Sequence, residues 1–407
     1  MNDLSDRIFW IAKDEEIKGG AVTDQYFLTT EQALKLKEMN PMVTMEVYTR
    51  HVPYPSEWGI VTGIYEVAKL LEGLPLDADA MEEGEVFVTS RGTAAYEPIL
   101  RITGRYRYFA RFETPILGFL CSSSGFSTKA ARIKLVAGDK RLLSFGTRRA
   151  HPALAPLIER AAYIEGFDGV SNVIGARLLG IEASGTMPHS FVLCFDTQEE
   201  AWKAFDEALP EGAPRTALTD TLYDEKTESI LAWQTLGKRL GAVRLDTPST
   251  RRGEWRKIIE EVRWELNLRG ADKVKIFVSG GIDEKEVADL RDVVDGFGVG
   301  TSVACAPTID FNMKMVEIEG KGGKMVPRAK RGDLSGAKDV QRDPATMEDF
   351  LVRSGKPLPK GRISLLSPLI RDGRVVRRFL SIDELRERQA ERLASVREHE
   401  PTVELRF

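Results

Sequence analysis

The chain has 407 residues, of which 42% are hydrophobic and 29% are charged, so we expect a globular protein with two packed domains. Its formal net charge of −4 argues against a general nucleic-acid or anionic-lipid surface. No apolar run is long enough to span a bilayer, and the first residues, MNDLSDRIFWIAKDEE, are acidic where a secretory signal is basic. We therefore expect a cytoplasmic protein with neither a nucleic-acid nor a membrane partner.

The three cysteines give no structural framework. Cys121, Cys194 and Cys305 are far apart and form no CxxC pair, so the sequence predicts neither a disulfide scaffold nor a zinc site.

The first part of the chain mixes helical and strand patterns. Helices are predicted for TEQALKLKE and for GIVTGIYEVAKLLEG. Strand patterns occur in MVTMEVYTR, EGEVFVTS, Ala94–Leu100 and RYRYFARFE. From Glu113 the stretch ETPILGFLCSSSGFSTKAARIKLVAG predicts one long helix with small residues in its middle.

From Leu142 onward, strand and helix patterns alternate. The predicted strands include LLSFG, IEAS, SFVLCF, RTALTDTL, AVRLD, VKIFVSGGI and GFGVGTSVA, and helical patterns separate most of them. This alternation predicts a parallel α/β sheet, and its length favours an incomplete α/β barrel. An open doubly wound sheet is the alternative.

After Pro307 the pattern changes again. FNMKMVEIEGKGGKMVPRA predicts a hairpin, a basic and loop-rich stretch follows, and SIDELRERQAERLASVREHE predicts a terminal helix. We therefore predict a barrel domain over residues 113–306 and a second domain formed by residues 1–112 plus 307–407.

Two glycine-rich turns follow consecutive strands of the predicted barrel. In barrels, the loops after the last two strands commonly bind a phosphate through backbone N–H groups, and glycine lets the backbone approach the oxygens. The alternative is glycine used only for tight turns. The residues of the predicted phosphate site are Ser279, Gly280, Gly281, Gly298, Val299, Gly300 and Thr301.

Polar side chains follow several other predicted strands. Because the carboxyl ends of parallel strands meet at one mouth, these side chains should converge. Arginines suit carboxylate or phosphate groups, and paired carboxylates suit ribose hydroxyls or Mg²⁺ held with pyrophosphate. The alternative for each is a structural ion pair. The candidates are Arg148, Arg149, His189, Asp220, Arg244 and Asp246.

These motifs together resemble a known family. SFGTRRAHP, GFDGVSNVIGARLLGIEASGTMPHSF, VRLDTPS and VSGGI…DGFGVGTSVA resemble the ordered motifs of the nicotinate phosphoribosyltransferases, over about Thr23 to Asp339. The resemblance implies an open-faced α/β sandwich packed with an incomplete barrel, and a homodimer with sites near its interface. It implies the joining of nicotinate to phosphoribosyl pyrophosphate, coupled to ATP hydrolysis, in NAD biosynthesis.

The resemblance also implies residue roles. Phe145 and the neighbouring subunit's Tyr26 would sandwich the pyridine ring, and Arg148 and Arg244 would bind the nicotinate carboxylate. Further roles fall to Arg149 on pyrophosphate, Asp220 and Asp246 on ribose or Mg²⁺, Ser184, Gly185 and Thr186 on substrate, and the two glycine-rich turns on the 5′-phosphate.

His189 matches the histidine that the family phosphorylates with ATP. Three alternatives stay open: a decarboxylating quinolinate phosphoribosyltransferase, a nicotinamide-specific enzyme, and a barrel that only binds a phosphorylated ligand. A nicotinamide enzyme needs an acid near the ring, where this chain has Met187. No cysteine follows Cys305, which argues against a metal-stabilised tail.

Overall fold

The computed structural model describes residues 7–90, 95–251 and 253–406. The chain forms two compact units: the flanking unit, Met1–Gly125 with Pro307–Phe407, and the barrel unit, Phe126–Ala306. The domain division predicted at residues 112/113 and 306/307 stays a prediction, since compactness alone does not show which segments fold together.

Helices and strands alternate along much of the chain. The helices are α1 Asp14–Lys18, α2 Gln25–Leu36, α3 Ile64–Leu71, α4 Tyr106–Phe109, α5 Glu113–Ala137, α6 Ala155–Ile164, α7 Val173–Leu179, α8 His189–Val192, α9 Gln198–Ala208, α10 Glu225–Leu236, α11 Trp255–Leu268, α12 Glu284–Leu290, α13 Thr301–Ala304 and α14 Ile382–Glu398. The strands are β1 Met42–Tyr48, β2 Trp58–Val61, β3 Leu76–Ala80, β4 Glu85–Val88, β5 Leu100–Arg105, β6 Arg141–Ser144, β7 Gly169–Val170, β8 Thr216–Leu218, β9 Ala242–Leu245, β10 Lys275–Val278, β11 Gly296–Val299, β12 Asn312–Glu319, β13 Met325–Pro327, β14 Lys338–Asp343, β15 Glu348–Arg353, β16 Ile363–Ser364, β17 Ser367–Arg371, β18 Arg374–Val375 and β19 Thr402–Leu405.

The barrel unit is built on one parallel sheet of six strands, in the order β7-β6-β11-β10-β9-β8. Its central strands carry apolar side chains such as Val243, Leu245, Ile276 and Val278, all fully buried. Apolar runs of this kind suit strands that are covered on both faces. The predicted class, an α/β fold with an incomplete parallel barrel, is confirmed.

Two predicted strands of the barrel unit are wrong. IEAS is irregular, and Ser184 N–H donates to Val170 O at 2.8 Å without forming a ladder. SFVLCF begins inside helix α8, because the N–H groups of Leu193 and Cys194 bond back to carbonyls three or four residues earlier. Without these strands the sheet stops short of a closed ring, which leaves β7 and β8 as its edges.

The flanking unit contains three sheets. A seven-stranded sheet has the order β13-β12-β1-β5-β3-β17-β18, a four-stranded sheet has the order β16-β14-β15-β19, and β2 pairs with β4. The predicted hairpin is confirmed, since β12 and β13 pair antiparallel and the turn between them has Gly322 and Gly323 at φ 79° and 78°. The predicted long helix α5 and terminal helix α14 are confirmed as well.

Three predictions for the flanking unit need correction. GIVTGIYEVAKLLEG is not one helix, because Gly63 at φ 98° separates strand β2 from helix α3. RYRYFARFE is largely helical, since strand β5 ends at Arg105 and α4 follows at once. The stretch predicted to be loop-rich after the hairpin forms strands β14 to β18. Ala94 lies outside the described residues, and the strand predicted there begins at Leu100.

Among the described residues, no helix combines the length and the apolar character that crossing a bilayer requires.

Candidate active site at the carboxyl ends of the half-barrel strands

The carboxyl ends of strands β8, β9 and β10 bring several predicted residues together. Thr216–Leu218 pairs with Ala242–Arg244, and Lys275–Val278 pairs with Ala242–Leu245, so these strands end at the same edge. Asp246 directly follows β9, Ser279 directly follows β10, and Asp220 is the second residue after β8. The structure therefore confirms the predicted convergence for this part of the mouth.

Hydrogen bonds connect these strand ends. Ser279 Oγ donates to Asp246 Oδ1 at 2.7 Å, and the Asp246 backbone N–H donates to Asp220 Oδ2 at 3.1 Å. The remaining oxygen of Asp220, Oδ1, is buried and accepts no hydrogen bond from a described residue. One acceptor at the mouth is thus left open for a ligand.

His189 lies beside both carboxylates. Its Nε2 is 3.6 Å from Asp246 Oδ2 and 3.9 Å from Asp220 Oδ1, and its Nδ1 is 3.0 Å from Thr221 Oγ1. Asp246 and, to a smaller degree, Asp220 raise the pKa of His189 although burial opposes them. The surroundings therefore favour the imidazolium.

The two carboxylates differ in their own protonation. Burial, more than any other cause, raises the pKa of Asp220 to about 6. Burial also acts on Asp246, but His189, Ser279 and Arg244 outweigh it and lower the pKa of Asp246. Asp246 therefore keeps its negative charge to lower pH than Asp220 does.

Arg244 is a buried cation with incomplete pairing. Its side chain is 13% exposed and its Nη2 is 3.6 Å from Asp246 Oδ2. Its Nη1 donates to Thr186 Oγ1, whereas its buried Nε has no hydrogen-bond partner among the described residues. Its Cζ lies 5.9 Å from the centroid of the Phe145 ring. Burial lowers the pKa of Arg244, as expected for a guanidinium whose counter-charges do not fully compensate desolvation.

Glycine allows the Phe145 ring to lie against strand β11. A Cβ built on Gly298 would be 2.4 Å from two carbons of that ring, and one on Gly146 would be 2.5 Å from Gly300 O. At Gly300 the nearest atom, Phe145 O, would be 3.4 Å away, which is an ordinary contact. Packing against Phe145 therefore explains why residue 298 is glycine, whereas packing within the protein does not require glycine at position 300.

The other glycine-rich turn precedes helix α12. Gly280 and Gly281 have φ values of 83° and 68°, which side chains rarely adopt, so the turn geometry itself accounts for both glycines. Phosphate binding at the two turns, with Ser279, Val299 and Thr301 beside them, stays a prediction.

Helix α12 begins with its own acidic caps. Asp283 accepts the Glu284 N–H at 2.7 Å, and Glu286 accepts the Asp283 N–H at 3.1 Å. Lys129 of α5 compensates this negative charge, with its Nζ 2.5 Å from Asp283 and 2.8 Å from Glu284. Any phosphate at the preceding turn must therefore rely on N–H groups other than those already used by the capping box.

The other predicted site residues are half-buried or exposed. Arg148 and Arg149 are exposed in a short 3₁₀ turn, and the charge of Arg148 contributes to the lowered pKa of Arg244. Ser184 is half-buried and Gly185 is exposed. Tyr26 belongs to α2 of the flanking unit, is 58% exposed, and has its ring centroid 4.2 Å from that of Phe27.

The acidic pair fits a magnesium ion of the kind that substrates bring with them. Mg²⁺ is usually held by one or two carboxylates together with substrate phosphates and water. Asp220 Oδ1, which accepts no hydrogen bond from a described residue, and Asp246 Oδ2 both face His189 Nε2 and offer two such oxygens. No group of three or more His, Cys, Asp or Glu side chains in the described part of the chain could hold a metal by itself.

Sequence reasoning missed three residues that support the mouth: Thr221, Glu228 and Lys129. Thr221 contacts His189, and Lys129 contacts the helix that follows the Gly280–Gly281 turn. Glu228 accepts backbone N–H groups beside Asp220. Only Thr221, which directly follows Asp220, carries a sequence signal; the other two lie on helices and are brought to the mouth by the fold.

Comparison with known proteins shows which family has this architecture. Residues 126–314 match the family model of the quinolinate phosphoribosyl transferase C-terminal domain, and residues 24–124 match that of the N-terminal domain. Nicotinate phosphoribosyltransferase of Mycobacterium tuberculosis is 32% identical over 410 residues, covering 89% of this chain and 88% of that protein. The half-barrel and its mouth define a phosphoribosyltransferase fold.

Solved structures agree with this class. The crystal structure of nicotinate-nucleotide pyrophosphorylase from Pyrococcus furiosus has a TM-score of 0.90 and 48% identity, covering 96% of this chain and 98% of that one. Human nicotinic acid phosphoribosyltransferase shares the fold, with a TM-score of 0.73 at 21% identity and coverage of 93% and 94%. The chain belongs to the nicotinate phosphoribosyltransferase family.

Proposed function

We propose that this protein transfers the phosphoribosyl group of phosphoribosyl pyrophosphate to nicotinate, giving nicotinate mononucleotide and pyrophosphate in NAD biosynthesis. The observation that carries the proposal is Arg244, a buried cation beside the Phe145 ring whose Nε–H donates to none of the described residues. A flat aromatic acid would stack on the ring and supply the missing acceptor. The family relationship supports the same reaction.

The chain contributes alignment and charge rather than a nucleophile. The nicotinate nitrogen attacks the anomeric carbon, the bond from that carbon to the pyrophosphate oxygen breaks, and pyrophosphate leaves with the electron pair. Arg244, Arg148 and Phe145 orient the base, and Arg149 supports the leaving group. Asp220 and Asp246 hold the ribose hydroxyls or the metal. Bound Mg²⁺ would supply charge neutralisation for the departing pyrophosphate.

Quinolinate is the second candidate substrate, because both matching family models carry that enzyme's name. Quinolinate has a second carboxylate and needs a further cation near the ring. Arg244 is the buried cation on the Phe145 ring, whereas Arg148 is exposed. With Arg244 and Arg148 both assigned to the nicotinate carboxylate and Arg149 to pyrophosphate, the predicted site has no further cation for a second carboxylate. An enzyme specific for nicotinamide needs an acidic residue near the ring. At that position this chain has Met187, which is buried in the apolar core.

A base screen tests the proposal. Nicotinate, quinolinate and nicotinamide are each incubated with phosphoribosyl pyrophosphate, with Mg²⁺ or with a chelator, and mononucleotide and carbon dioxide are measured. We expect turnover with nicotinate only, and loss of turnover with the chelator. Turnover of quinolinate with release of carbon dioxide would replace the proposal by its alternative. No turnover of any base would favour a barrel that only binds its ligand.

Coupling to ATP through His189 is a further part of the proposal. Both ring nitrogens face a partner in this structure, so phosphorylation requires one of them to be released. We expect His189→Asn to abolish ADP release and the stimulation by ATP, while slow ATP-independent transfer continues. Undiminished ATP-stimulated synthesis by the variant would rule out this role.

We also propose a homodimer in which Tyr26 completes the neighbouring subunit's site. Mixing inactive Tyr26→Ala and Phe145→Ala proteins tests it, because a mixed dimer would contain one site with both rings intact. With random exchange, about a quarter of wild-type activity should return. If dimers exchange and no activity returns, Tyr26 does not act across an interface.

A further inference from the structure

A buried carboxylate lies directly behind the mouth. Glu228, on the first turns of α10, is 0% exposed. Its Oε2 accepts the Thr221 N–H at 3.0 Å, and its Oε1 accepts the N–H groups of Leu222 and Tyr223 at 2.5 and 2.6 Å. One side chain thus fixes three successive peptide groups of the turn that leaves strand β8.

Two of the three side chains of this turn give it little packing. The side chains of Leu222 and Tyr223 are 45% and 58% exposed, so they do not anchor the turn in the core. Because the exposed side chains contribute little packing, the path of residues 221–223 depends on Glu228.

The same turn carries two groups of the candidate site. Asp220 immediately precedes the three clamped peptides, and its Oδ2 accepts the Asp246 N–H at 3.1 Å. Thr221 is itself clamped, and its Oγ1 lies 3.0 Å from His189 Nδ1. A shift of this turn would therefore move Asp220 and the hydroxyl next to His189 together.

Helix α10 does not need a carboxylate at this position for its own formation. Asp224 caps the helix by accepting the Thr227 N–H at 3.0 Å, and the same residue accepts the Thr227 hydroxyl at 2.6 Å. Burial raises the pKa of Glu228 even though the three N–H groups oppose it. An acid kept at such a site is better explained by the turn it holds than by the helix that carries it.

We propose that Glu228 is a positioning residue for the phosphoribosyl side of the reaction. It does not touch substrate; it sets the place of Asp220 and Thr221, on which binding of phosphoribosyl pyrophosphate depends. The assignment rests on the proposed function for the identity of that ligand. Arg244 and Phe145 come from other strands, so the base side of the mouth should not depend on Glu228.

Glu228→Gln tests this with little change in volume. The amide keeps one acceptor oxygen and turns an NH₂ group toward at least one of the three donors, so the clamp is broken in part. The matched control is Asp295→Asn, which also removes a carboxylate that accepts a backbone N–H, that of Ile276 at 2.8 Å, but near the amino end of β10. Both variants should lower the melting temperature.

The measurement compares the effect of each variant on phosphoribosyl pyrophosphate with its effect on nicotinate. We expect Glu228→Gln to raise the KM for phosphoribosyl pyrophosphate about 10-fold and to lower kcat, since small misplacements of binding groups have effects of this size. Nicotinate binding measured by calorimetry should stay within about twofold. Asp295→Asn should leave both KM values unchanged. Calorimetry with Mg²⁺ and phosphoribosyl pyrophosphate in the absence of base should show the same loss of affinity for Glu228→Gln alone.

Two results would overturn the assignment. Unchanged affinity of Glu228→Gln for phosphoribosyl pyrophosphate would make Glu228 a structural residue only. An equal loss of affinity for phosphoribosyl pyrophosphate and for nicotinate would indicate that the variant destabilises the whole barrel unit. Failure of the proposed function shows itself separately, as wild-type protein that binds phosphoribosyl pyrophosphate without transferring it to nicotinate.

Discussion

Two buried arginines, one in each unit, are paired in different ways. Arg342 in the flanking unit is 3% exposed and uses all three guanidinium nitrogens: Nε on Asp349 at 2.7 Å, Nη1 on Glu85 at 2.8 Å and Nη2 on Val86 O at 2.8 Å. Arg244 in the barrel unit leaves its buried Nε without a partner among the described residues.

The pKa directions follow the pairing. Burial alone would lower the pKa of Arg342, but Asp349 and Glu85 raise it on balance. For Arg244, burial prevails and the pKa is lowered. A fully paired buried charge holds a fold together, whereas a partly paired one is kept where a ligand can complete it. The contrast supports the ligand-binding role proposed for Arg244.

The largest effect should come from Arg342→Met. The change leaves the Asp349 and Glu85 carboxylates buried without their cation, so we expect a loss of about 3–5 kcal/mol in the free energy of unfolding. Urea denaturation measures it. Arg378→Met, which breaks an exposed pair with Glu384, is the control and should lose at most about 1 kcal/mol. Similar losses in both variants would mean that complete pairing of Arg342 adds nothing to stability.

Arg244→Lys should act on ligand binding instead. Lysine keeps the charge but loses the planar fork, so nicotinate binding should weaken by about 1–3 kcal/mol. Nicotinamide, which lacks the carboxylate, serves as the control ligand in the same calorimetric assay. Equal losses for both ligands would show that Arg244 does not read the carboxylate. Thermal unfolding should change far less than in Arg342→Met.

Gly298 of strand β11 and Gly300 directly after it allow the same comparison, between a residue needed for packing and one predicted to serve ligand binding. Gly300→Val has room for its Cβ within the protein, yet it places carbon atoms where a 5′-phosphate would approach the backbone. We expect the KM for phosphoribosyl pyrophosphate to rise about 10-fold, or about 1.4 kcal/mol, with folding retained. Normal binding of that substrate by the variant would contradict the phosphate assignment.

Gly298→Ala is the matched change. Its Cβ would meet the Phe145 ring at 2.4 Å, so we expect loss of stability and of nicotinate binding rather than a selective effect on phosphoribosyl pyrophosphate. A selective effect on that substrate would instead assign Gly298 to the phosphate.

The smallest effect concerns the carboxylate of Glu113, which is not one of the predicted site residues. Burial raises the pKa of Glu113, at the start of α5, to about 7. Because the folded state binds this proton more tightly than the unfolded state, the contribution of Glu113 to stability should be greatest below about pH 4.5 and should be lost as the pH rises to about 7. We expect Glu113→Gln to remove this dependence and to gain on the order of 1 kcal/mol at pH 8, after allowance for partial exposure.

Denaturation of wild type and Glu113→Gln across this pH range measures the difference. Glu404→Gln, a change at an exposed carboxylate, is the control. A pH dependence that survives unchanged in Glu113→Gln would assign it to another group.

Much of the barrel unit follows from local sequence pattern. Buried parallel strands require short apolar runs, and a polar residue directly after such a run must lie at the carboxyl edge. The rule predicts that Asp220, Arg244 and Asp246 lie near the carboxyl ends of their strands, where the structure has them. The roles given to Phe145 and Tyr26 came from the family resemblance, and Tyr26 lies in the flanking unit.

Tertiary structure decided where the local pattern was ambiguous or silent. IEAS and SFVLCF are apolar enough for strands, but neither finds a neighbour with which to form a ladder, and α8 satisfies its N–H groups within itself. The strands after the hairpin were missed because their pairing partners, such as Lys338 to Arg353, are fixed by contacts across the sheet rather than by a local period.

The sequence by itself determined most of the alternation of strands and helices, and with it the strand-end residues Asp220, Arg244 and Asp246, because the end of a strand is set by chain position. Only the tertiary structure decided which buried charges have a partner for every hydrogen-bonding group. Arg342 and Arg244 look alike as arginines on strands, and Glu228 is one acid among many on a helix. Their difference lies in partners that come from other segments of the fold, and whether a buried charge is satisfied depends on all of those partners at once.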